Sequence, residues 1–473
     1  MTDITDLVIV GGGPGGQAAA RAAIRHGLRV TVLDEQARPG GQIFRQPFAD
    51  GIYPKDRFGA KHAAAGRAGA ALCAEPLIDW QGNRMVWGLT PGGEDGFELF
   101  HSGPDGAAAL KARRVLIAAG CHDMAVPFPG WTLSGVMGAG GIQAMLKGQG
   151  VAPGASILLG GSHPLMLVIA AQLLDFGVTP VGVVFSQSFG RIKEMLGAPL
   201  VASRSLPVFA QGARAYLKLH RAGVPVHFGK VVVRAEGDDT LQQVRIAPSD
   251  RLDATGETIA CDAFGFCYGF TSSAELPRQI GVDPVWSETG GGWIIPHDAR
   301  MQTSQPGLYV AGETAGIGGE PCAVAEGVLA GLTIAESLGK SVSETEIARA
   351  QTQRRHRRDF ATLLQRLADP GAALLQGLRD DDTAICRCES VKTGAFRALL
   401  RDNPTIHSAD AAKLLARTGM GPCQGRFCHR AVQEEIAAAR GGSTADAKPF
   451  AARMPARPVP LRDLRSLSRD GNE

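Results

Sequence analysis

Short apolar runs followed by glycine turns and alanine-rich segments form the main pattern of this chain. The run from Leu7 to Val10 leads into the letters GGGPGG and then AAARAAIRHG, which predicts a buried strand, a tight turn and a helix. A second apolar run, Val30 to Leu33, ends in Asp34 and completes a βαβ opening. A polar, glycine-rich stretch then continues to about Ala70.

The same pattern of strand and glycine recurs further along the chain. RVLIAAG, from Arg114 to Gly120, predicts another buried strand, and a second strand–glycine–helix unit starts at Ser156. Residues 226–268 are strand-rich in pattern. The predicted strand Leu308 to Ala311 leads into GETAGIGG and an alanine-rich helix from about Cys322 to Leu338. The sequence therefore predicts two nucleotide-type βαβ units.

The last part of the chain has a different character. Residues 344–379 are helical in pattern and carry the letters RRHRR, a charge run that is typical of a solvated helix face. Two cysteine motifs follow Ile385. The final residues are rich in Ala, Arg and Pro, which predicts an extended arm or a disordered tail.

Composition narrows the class of protein. A chain of 473 residues needs two or three cores, and 44% hydrophobic with 20% charged residues is typical of a globular protein. The net charge of +3 and the aromatic content of 6% argue against nucleic acid as a partner. No apolar run approaches the ~18 residues that cross a bilayer, and the N-terminus lacks the basic region of a signal peptide. We therefore expect a cytoplasmic protein, with peripheral docking to a membrane partner left open.

The glycine turn after the first strand has the spacing of a dinucleotide-binding loop, Gly11-x-Gly13-x-x-Gly16. Gly11 permits the tight turn, Gly13 leaves room for a pyrophosphate, and Gly16 lets helix and strand pack closely. The free N–H groups at the helix N-terminus then face the phosphates. Asp34, at the end of the second strand, is placed to accept hydrogen bonds from ribose hydroxyls.

The chain resembles the flavoproteins with two dinucleotide-binding domains, which include disulfide reductases and ferredoxin reductase-like proteins. Besides the glycine turn, the resemblance rests on RVLIAAG and on PGLYVAGE, where Glu313 replaces the usual Asp. It implies FAD rather than NAD as the first ligand, with Glu313 near the ribityl or phosphate region and the PGGQ stretch along the pyrophosphate and flavin. The cofactor-binding residues predicted on this basis are Gly11, Gly13, Pro14, Gly16, Asp34, Glu35, Gly41, Gln42, Val86, Ala119, Gly120, Gly312 and Glu313.

The second glycine turn departs from the nucleotide-binding pattern. Counted from Gly161, the next two pattern positions hold His163 and Met166, and a Cβ at either place crowds the pyrophosphate or the helix packing. The following strand ends Val-Val-Phe-Ser, without a carboxylate for a nicotinamide ribose. We expect a retained fold that has lost its nicotinamide site or holds some other nucleotide. An NAD(P)H site with an unusual loop is the alternative.

Four of the nine cysteines form two motifs, Cys386-x-Cys388 and Cys423-x-x-x-x-Cys428. An odd total in a chain without an export signal favours metal binding or redox work over disulfides. Thiolates are the ligands that iron–sulfur clusters prefer, and a one-residue spacer is tight for zinc, the competing metal. The letters ICRCESV and GMGPCQGRFC resemble the bacterioferritin-associated ferredoxin-like [2Fe–2S] domain, and residues 392–418 between them are predicted to form a helix–turn–helix. We therefore expect these cysteines to bind a [2Fe–2S] cluster.

The whole chain resembles the larger, α-type subunits of opine oxidases, D-hydroxyproline and L-proline dehydrogenases, and hydrogen cyanide synthase. PFPGWTLSGVMGAGG, from Pro127 to Gly141, the two cysteine motifs, and RPVPL, from Arg457 to Leu461, carry this resemblance. It implies an oxidoreductase subunit for CH–NH or CH–NH2 donors that works beside a β-type FAD-dependent amino-acid dehydrogenase subunit. Another candidate partner is a small ferredoxin-like subunit. This chain would relay electrons from the partner to an acceptor through its FAD and [2Fe–2S] cluster.

No amino-acid substrate domain is evident, so the sequence predicts no catalytic residue. A stand-alone NAD(P)H-dependent flavin reductase that feeds its own cluster is the alternative, weakened by His163 and Met166. A disulfide reductase would need a cysteine pair beside the flavin, and the stretch from Gly40 to Arg45 has none. A scaffold with vestigial cofactors is the third alternative.

Together these patterns predict an α/β chain with two Rossmann-like three-layer dinucleotide-binding domains and a small helical [2Fe–2S] domain. The FAD-binding domain is expected in two parts, residues 1–150 and 293–340, around a degenerate second dinucleotide-binding domain at 151–292. A helical linker at 341–380, the [2Fe–2S] domain at 381–440 and an extended arm at 441–473 are expected to follow.

Overall fold

The structure, a computed structural model, describes residues 4–93, 96–188, 190, 201 and 206–469. The chain divides into two compact units, each built from separated stretches of sequence. The first unit contains Met1–His122, Thr271–Thr362 and Ala452–Glu473, and the second contains Asp123–Phe270 and Leu363–Ala451. The predicted arm extends over residues 470–473, which lie outside the described residues.

Strands and helices alternate along most of the chain. The strands are β1 (Thr5–Val10), β2 (Val30–Leu33), β3 (Ile78–Gln81), β4 (Met85–Pro91), β5 (Phe97–Gly103), β6 (Gly106–Ile117), β7 (Cys121–Asp123), β8 (Val136–Gly138), β9 (Ile157–Gly161), β10 (Gly182–Phe185), β11 (Val226–Phe228), β12 (Lys230–Glu236), β13 (Gln243–Pro248), β14 (Glu257–Ala260), β15 (Ala263–Cys267), β16 (Phe270–Ser272), β17 (Val285–Ser287), β18 (Gly292–Ile294), β19 (Leu308–Val310), β20 (Ala384–Cys386) and β21 (Val391–Lys392). The α-helices are α1 (Pro14–Arg25), α2 (Ala60–Cys73), α3 (Ala139–Ala144), α4 (Leu165–Phe176), α5 (Leu206–Arg221), α6 (Glu275–Gln279), α7 (Glu320–Ser337), α8 (Glu344–Ala368), α9 (Ala372–Gly377), α10 (Thr393–Asp402), α11 (Ala409–Ala416), α12 (His429–Arg440) and α13 (Leu461–Arg469). Within the described ranges no helix combines the length and the apolar character that crossing a membrane requires.

A largely parallel sheet forms the centre of the first unit. Its strand order is β3-β2-β1-β6-β5-β4, and β19 also pairs with β6. Val8 of β1 pairs in parallel with Thr31 on one side and with Val115 on the other, while β4 and β5 are antiparallel additions. The apolar runs of the sequence are thus buried strands of one sheet, and the predicted Rossmann-like opening is confirmed.

Two alanine-rich helices of the first unit, α1 and α7, pack closely against each other. A Cβ at Gly327 would lie 2.0 Å from the carbonyl oxygen of Gly15, and one at Gly331 would lie 2.5 Å from that of Ala19. Only residues without a side chain allow this approach. The glycines of α7 therefore allow this helix to lie close to α1. The N-terminus of α1 directly follows the glycine turn.

The second unit contains another parallel sheet. Its strand order is β11-β10-β9-β15-β8, and a separate antiparallel sheet is formed by β12, β13 and β14. Leu159 of β9 pairs with Val183 and with Gly265, so β9 lies in the middle of the sheet. The second βαβ unit of the sequence has therefore kept a Rossmann-like sheet.

The cysteine motifs of the second unit lie in a small, mainly helical segment. The β20–β21 hairpin precedes α10 and α11, which correspond to the predicted helix–turn–helix, and α12 follows the last cysteine. The Ser408 hydroxyl caps α11 by accepting the N–H of Ala411 at 3.2 Å. Phe396, Leu400 and Val432 are buried in a hydrophobic core between these helices. This core fixes the backbone that carries the cysteines.

Two stretches for which the sequence predicted no helix contain one. The glycine-rich stretch up to Ala70 contains α2, because its alanines favour a helix more than its scattered glycines oppose it. The extended conformation predicted for the arm is wrong over α13, which packs against β6. Composition alone did not reveal α13, since its stability comes from this tertiary contact.

The arm also reaches two other strands of the first unit before α13 begins. The N–H of Ala456 donates to the carbonyl oxygen of Trp87 in β4 at 2.8 Å. Arg457 Nη2 lies 3.2 Å from Oε1 of Glu35, directly after β2. β4 is the last strand in the sheet order, so the arm covers part of an exposed sheet edge.

Candidate functional site

The glycine loop between β1 and α1 shows which of its glycines the fold itself requires. A Cβ on Gly11, where φ is +107°, would lie 2.2 Å from the carbonyl oxygen of Ala118, and one on Gly16 would lie 1.9 Å from that of Gly11. A Cβ on Gly13 would meet only the Cα of Gly41, at 3.7 Å. The N–H of Gly13 has no hydrogen-bond partner in the described part of the chain. Gly13 therefore leaves space and a free donor at the loop.

The carboxylate after β2 supports this loop. Asp34 is 8% exposed, and its two oxygens accept the N–H of Gly12 at 2.5 Å and the N–H of Gln36 at 2.6 Å. Burial raises the pKa of Asp34, and the two N–H donors oppose that rise. Glu35 has a half-exposed carboxylate beside Arg457. Asp34 thus holds the loop in place, and Glu35 presents the more accessible carboxylate.

The PGGQ stretch lies against the glycine loop. Gly41 has a φ of +59°, and a Cβ there would lie 2.8 Å from the Cα of Gly13. Arg45 donates from Nη2 to Gln42 Oε1 at 2.8 Å and from Nη1 to Gln36 Oε1 at 2.6 Å. Its buried Nε has no partner among the described residues. A single loop arginine has no spacing signal, so sequence reasoning missed Arg45.

Three other predicted residues lie at the same end of the sheet. Pro14 opens α1, where its missing N–H costs nothing. Ala119 and Gly120 follow β6, which runs parallel to β1, and the carbonyl oxygen of Gly120 accepts the N–H of Ser273 at 3.0 Å. Val86 differs, because its side chain lies in the hydrophobic core of the unit. Any contact of Val86 with a cofactor would have to use its backbone.

The second predicted flavin segment forms a tight loop after β19. Gly312 adopts a φ of +67°, and the carboxylate of Glu313 accepts the N–H groups of Gly318 and Gly319 at 2.8 Å each. Burial raises the pKa of Glu313, partly offset by these two donors. The Thr314 hydroxyl is fully buried without a partner in the described residues. Glu313 is therefore held by its own loop at the start of α7.

A buried ion-pair network supports that loop. Glu326 in α7 is 0% exposed and accepts the N–H of Gly312 at 3.0 Å. Arg358 Nη2 lies 2.5 Å from its Oε1, and Arg354 Nε lies 3.5 Å from the same oxygen. Arg354 Nη2 also lies 2.6 Å from Nε2 of His297.

The interpretation of RRHRR as a solvated helix face is therefore wrong for two of its five residues. Arg354 and Arg358 lie four residues apart, so they share one face of α8. That face turns toward Glu326. The residues between them, Arg355, His356 and Arg357, are exposed as expected. The four-residue spacing of the two arginines was visible in the sequence. The burial of Glu326, their partner in α7, was not.

The second glycine turn, between β9 and α4, has its backbone donors engaged. The N–H of His163 donates to the carbonyl oxygen of Cys267 at 3.0 Å, and Pro164 has no N–H. The N–H of Leu165 donates to Nδ1 of His163 at 3.2 Å, and that of Met166 donates to the carbonyl oxygen of His163 at 3.2 Å. A phosphate binds such a turn through free N–H groups, and positions 163–166 offer none.

The side chains of His163 and Met166, the two residues that depart from the glycine pattern, are also buried. Met166 is 0% exposed. The ring of His163 packs edge-on against Phe270 with centroids 5.0 Å apart, and burial lowers its pKa to about 4. His163 is therefore a neutral side chain that fills the turn and contributes no positive charge to attract a phosphate.

A buried carboxylate in the second unit gives a prediction for pH dependence. Asp123 accepts N–H groups of Gly140 and Gly141, and burial raises its pKa to about 6. Because this lies above the unfolded value of 3.8, the folded chain holds the proton more tightly, and the stability this confers is lost as pH rises from about 4 to about 6. The loss is on the order of 3 kcal/mol.

We expect Asp123→Asn to remove that fall in the free energy of unfolding, measured by denaturant titration at several pH values. Asp253→Asn, at an exposed loop position of the same unit, is the matched control and should keep the wild-type pH profile. An unchanged profile in Asp123→Asn would show that another group titrates in this range.

The four predicted cysteines come together in the second unit. Cys428 lies close enough to Cys386 to lower its pKa, and Cys423 likewise lies close enough to Cys388 to affect the pKa of that thiol. The N–H of Gly419 bonds the sulfurs of both Cys386 and Cys428. Cys386 and Cys428 are 1% and 0% exposed, while Cys388 and Cys423 are partly exposed. The structure thus brings together two motifs that are distant in sequence.

The environment of these cysteines favours a thiolate at one position. The hydrogen bond from Cys428 lowers the pKa of Cys386 to about 6, and that partnership raises the pKa of Cys428. Burial raises the pKa of Cys388. In the described ranges of the chain, no group of three or more His, Cys, Asp or Glu side chains is arranged to hold a single metal ion.

The first sheet and its glycine loop define a dinucleotide-binding oxidoreductase fold. The pyridine nucleotide-disulphide oxidoreductase family matches residues 5–331, more than half of the chain. The chain therefore belongs to the pyridine nucleotide-disulphide oxidoreductase family. Membership confirms the predicted oxidoreductase class and supports FAD as the cofactor.

Curated relatives match over nearly the whole chain. The A subunit of opine oxidase from Rhizobium meliloti (strain 1021) is 31% identical over 466 residues, which cover 98% of each chain. The HcnB subunit of hydrogen cyanide synthase from Pseudomonas protegens is 32% identical over 470 residues, which cover 96% of each. The alpha subunit of sarcosine oxidase from Rhizobium meliloti (strain 1021) is 25% identical over 74% of this chain and 32% of its own length. The predicted resemblance to opine oxidase and hydrogen cyanide synthase subunits is confirmed.

Solved structures support the same fold. L-proline dehydrogenase from P. horikoshii superimposes with a TM-score of 0.70 over 98% of this chain and 80% of that one, at 18% identity. T. acidophilum thioredoxin reductase gives a TM-score of 0.51 over 71% of this chain and 99% of that one, at 18% identity. At these identities the likeness concerns the fold alone.

Proposed function

We propose that this chain is the FAD- and [2Fe–2S]-containing subunit of a heteromeric dehydrogenase or oxidase for amino or imino acids. In this role it passes electrons from a β-type flavoprotein partner to an acceptor. The observation that carries the proposal is that one chain combines a dinucleotide loop with an open Gly13 and four cysteines from two motifs that lie within interaction range of one another. The curated relatives that match end to end are subunits of opine oxidase and of hydrogen cyanide synthase.

The first unit has residues suited to hold FAD. The space and free N–H at Gly13, at the N-terminus of α1, would accommodate the pyrophosphate. Glu35 would accept hydrogen bonds from the adenosine ribose, since both oxygens of Asp34 are already used by backbone donors. The unpaired Nε of Arg45 would supply a positive donor beside the same loop. A hydroxyl without a partner at Thr314 marks a second polar contact point near Glu313.

The four cysteines suit an iron–sulfur cluster. A [2Fe–2S] cluster takes two thiolates on each of two irons, whereas a structural zinc takes four ligands around one ion. The four cysteines supply the number of thiolates that such a cluster takes, and the one-residue spacer of Cys386-x-Cys388 is tight for zinc. When bound, a flavin accepts electrons two at a time and a cluster passes them singly, so a chain with both is suited to electron transfer between unlike carriers.

The second glycine turn bears on the alternative in which NAD(P)H supplies the electrons. With the N–H groups at positions 163–166 engaged and His163 neutral, an NAD(P)H pyrophosphate would find neither donors nor charge there. This argues against the alternative, a stand-alone NAD(P)H-dependent flavin reductase. It also argues against another nucleotide in that turn. A partner subunit that oxidises the C–N bond is the donor that fits.

The test is purification of the chain alone and after co-expression with the β-type flavoprotein of its source. We expect the isolated chain to contain FAD and iron, to oxidise no amino or imino acid, and to leave NADH and NADPH unoxidised. The complex should reduce an artificial dye with one of proline, hydroxyproline, glycine or an opine. Turnover of these donors by the isolated chain would contradict the proposal, and steady NAD(P)H oxidation would favour the reductase.

A further inference from the structure

The loop between β19 and α7 is held by a single arginine of α8. Arg358 Nη1 donates to the carbonyl oxygen of Gly316 at 2.9 Å and to that of Ile317 at 3.1 Å. Its Nη2 lies 2.5 Å from Oε1 of Glu326, and Oε2 of Glu326 accepts the N–H of Gly312 at 3.0 Å. This ion pair therefore fixes three backbone atoms of the loop at once, at its beginning and at its turn.

Four donors surround the buried carboxylate of Glu326. In addition to Gly312 and Arg358, Nε of Arg354 lies 3.5 Å from Oε1, and the thiol of Cys322 donates to Oε1 at 3.6 Å. The side chain of Glu326 is 0% exposed, so these protein groups take the place of the water that would otherwise solvate the charge. Removal of Arg358 would leave this charge buried without its nearest counter-charge, which is costly.

A histidine orients the second arginine of the network. Arg354 Nη2 can only donate, so Nε2 of His297, 2.6 Å away, accepts and the ring proton lies on Nδ1. That Nδ1 lies 3.2 Å from the carbonyl oxygen of Ile295, which accepts the proton. Burial and the nearby Arg354 lower the pKa of His297. His297 therefore stays neutral and adds no third positive charge beside Glu326.

Other contacts hold the same loop without any charge. The Ser272 hydroxyl lies 2.8 Å from the carbonyl oxygen of Glu313 and 3.1 Å from that of Thr314. The N–H of Ile317 donates to the carbonyl oxygen of Gly290 at 2.9 Å. These residues all belong to the first unit, as do the residues of the ion pair. The fold can therefore keep the loop near its place without the ion pair, which adds the constraint on its exact conformation.

We propose that Glu326 and Arg358 are positioning residues for FAD. They hold the loop after β19 in its binding conformation before the cofactor arrives, so binding does not have to order it. A site that is ordered in advance binds more tightly, because the entropy of ordering is not lost on binding. This inference rests on the proposed function, since it presupposes that FAD binds at this loop.

A double-mutant cycle on the full chain tests the proposal. The variants are Glu326→Gln, Arg358→Met and the two combined, and the measurements are the thermal midpoint without flavin and the FAD dissociation constant from fluorescence titration. Each single change leaves a buried charge unpaired, so each should lower the thermal midpoint and weaken FAD binding.

The combined variant separates positioning from folding. With both buried charges removed, its thermal midpoint should return to near the wild-type value. Its FAD dissociation constant should remain at least tenfold above that of the wild type, because the carbonyl oxygens of Gly316 and Ile317 have lost their donor. Wild-type affinity in the combined variant would overturn the proposal, since the ion pair would then matter only for folding.

Arg355→Met is the matched control for these variants. Arg355 lies in the same helix, α8, but is exposed. Its replacement should leave both the thermal midpoint and the FAD dissociation constant at the wild-type values. An equal loss of affinity in Arg355→Met would mean that the positive charge of α8 as a whole, and not the ion pair, supports FAD binding.

Hydrogen exchange of the wild-type chain tests the proposal without any substitution, and so covers a combined variant that does not fold. After removal of flavin, peptides that span residues 312–319 should take up deuterium as slowly as they do with FAD bound, because Gly312, Gly318 and Gly319 donate to buried carboxylates. Fast uptake that only FAD slows would show that the cofactor orders the loop, and would overturn the proposal while the proposed function stands. A wild-type chain that binds no FAD would contradict both.

Discussion

Gly13→Ala is expected to produce a folded chain that has lost its flavin. A Cβ at this position would meet only the Cα of Gly41 at 3.7 Å, an ordinary contact, so the protein can accept it. The same Cβ would occupy the space through which a pyrophosphate approaches the loop. We expect at least a tenfold loss of affinity, about 1.4 kcal/mol, measured by flavin content and by fluorescence titration.

Two other glycines provide matched comparisons for this variant. Gly16→Ala places a Cβ 1.9 Å from the carbonyl oxygen of Gly11, so it should lower the thermal midpoint or prevent folding. Gly212→Ala, on α5, places a Cβ with nothing within 4 Å and should retain flavin and stability. Full flavin content in Gly13→Ala would show that the cofactor does not approach the loop at this residue.

Cys428→Ala is expected to abolish the cluster and leave FAD in place. Alanine offers no ligand atom, and the position is fully buried, so no water or exposed side chain replaces the lost thiolate. The predicted FAD residues belong to the first unit, while all four cysteines belong to the second. We expect iron and acid-labile sulfide below a tenth of the wild-type content, with the ratio of flavin to protein unchanged.

The control for this variant is Cys261→Ala, which removes a buried thiol of the same unit outside the two motifs. It should retain iron and sulfide at the wild-type ratio. Loss of flavin together with iron in Cys428→Ala would mean that the two cofactor sites are not independent. Retention of iron would mean that Cys428 is not a ligand.

Much of the fold could be predicted from local sequence patterns. Buried parallel strands appear as continuous apolar runs, and a glycine turn that follows one and opens a helix has few alternative conformations. For this reason the β1–α1 unit, the second βαβ unit at β9 and α4, and the helix–turn–helix between the cysteine motifs were readable from short windows. The helix at Leu461–Arg469 was not, because its contact is with a strand far away in the sequence.

The candidate site could be predicted only in part, because several of its contacts join residues that no local motif connects. The spacing of glycines pointed to the loop, but not to the bracing of that loop by Asp34, which leaves Glu35 as the more accessible acid. Arg45 and Glu326 act through partners that no motif specifies. The two cysteine motifs were readable from the sequence, but their meeting in space depends on how β20 and the start of α12 pack.

The return of the arm to the first unit affects how this protein forms during synthesis. The first unit is assembled from three stretches, of which the last begins at Ala452. At about 5–20 residues per second, a ribosome needs on the order of a minute to pass from β4 to Ala452. Until the residues after Ala452 emerge, the nascent sheet lacks the Ala456 contact on β4 and the α13 contact on β6. The edge strand β4 therefore stays uncovered during that interval, in which nascent chains can pair wrongly with one another.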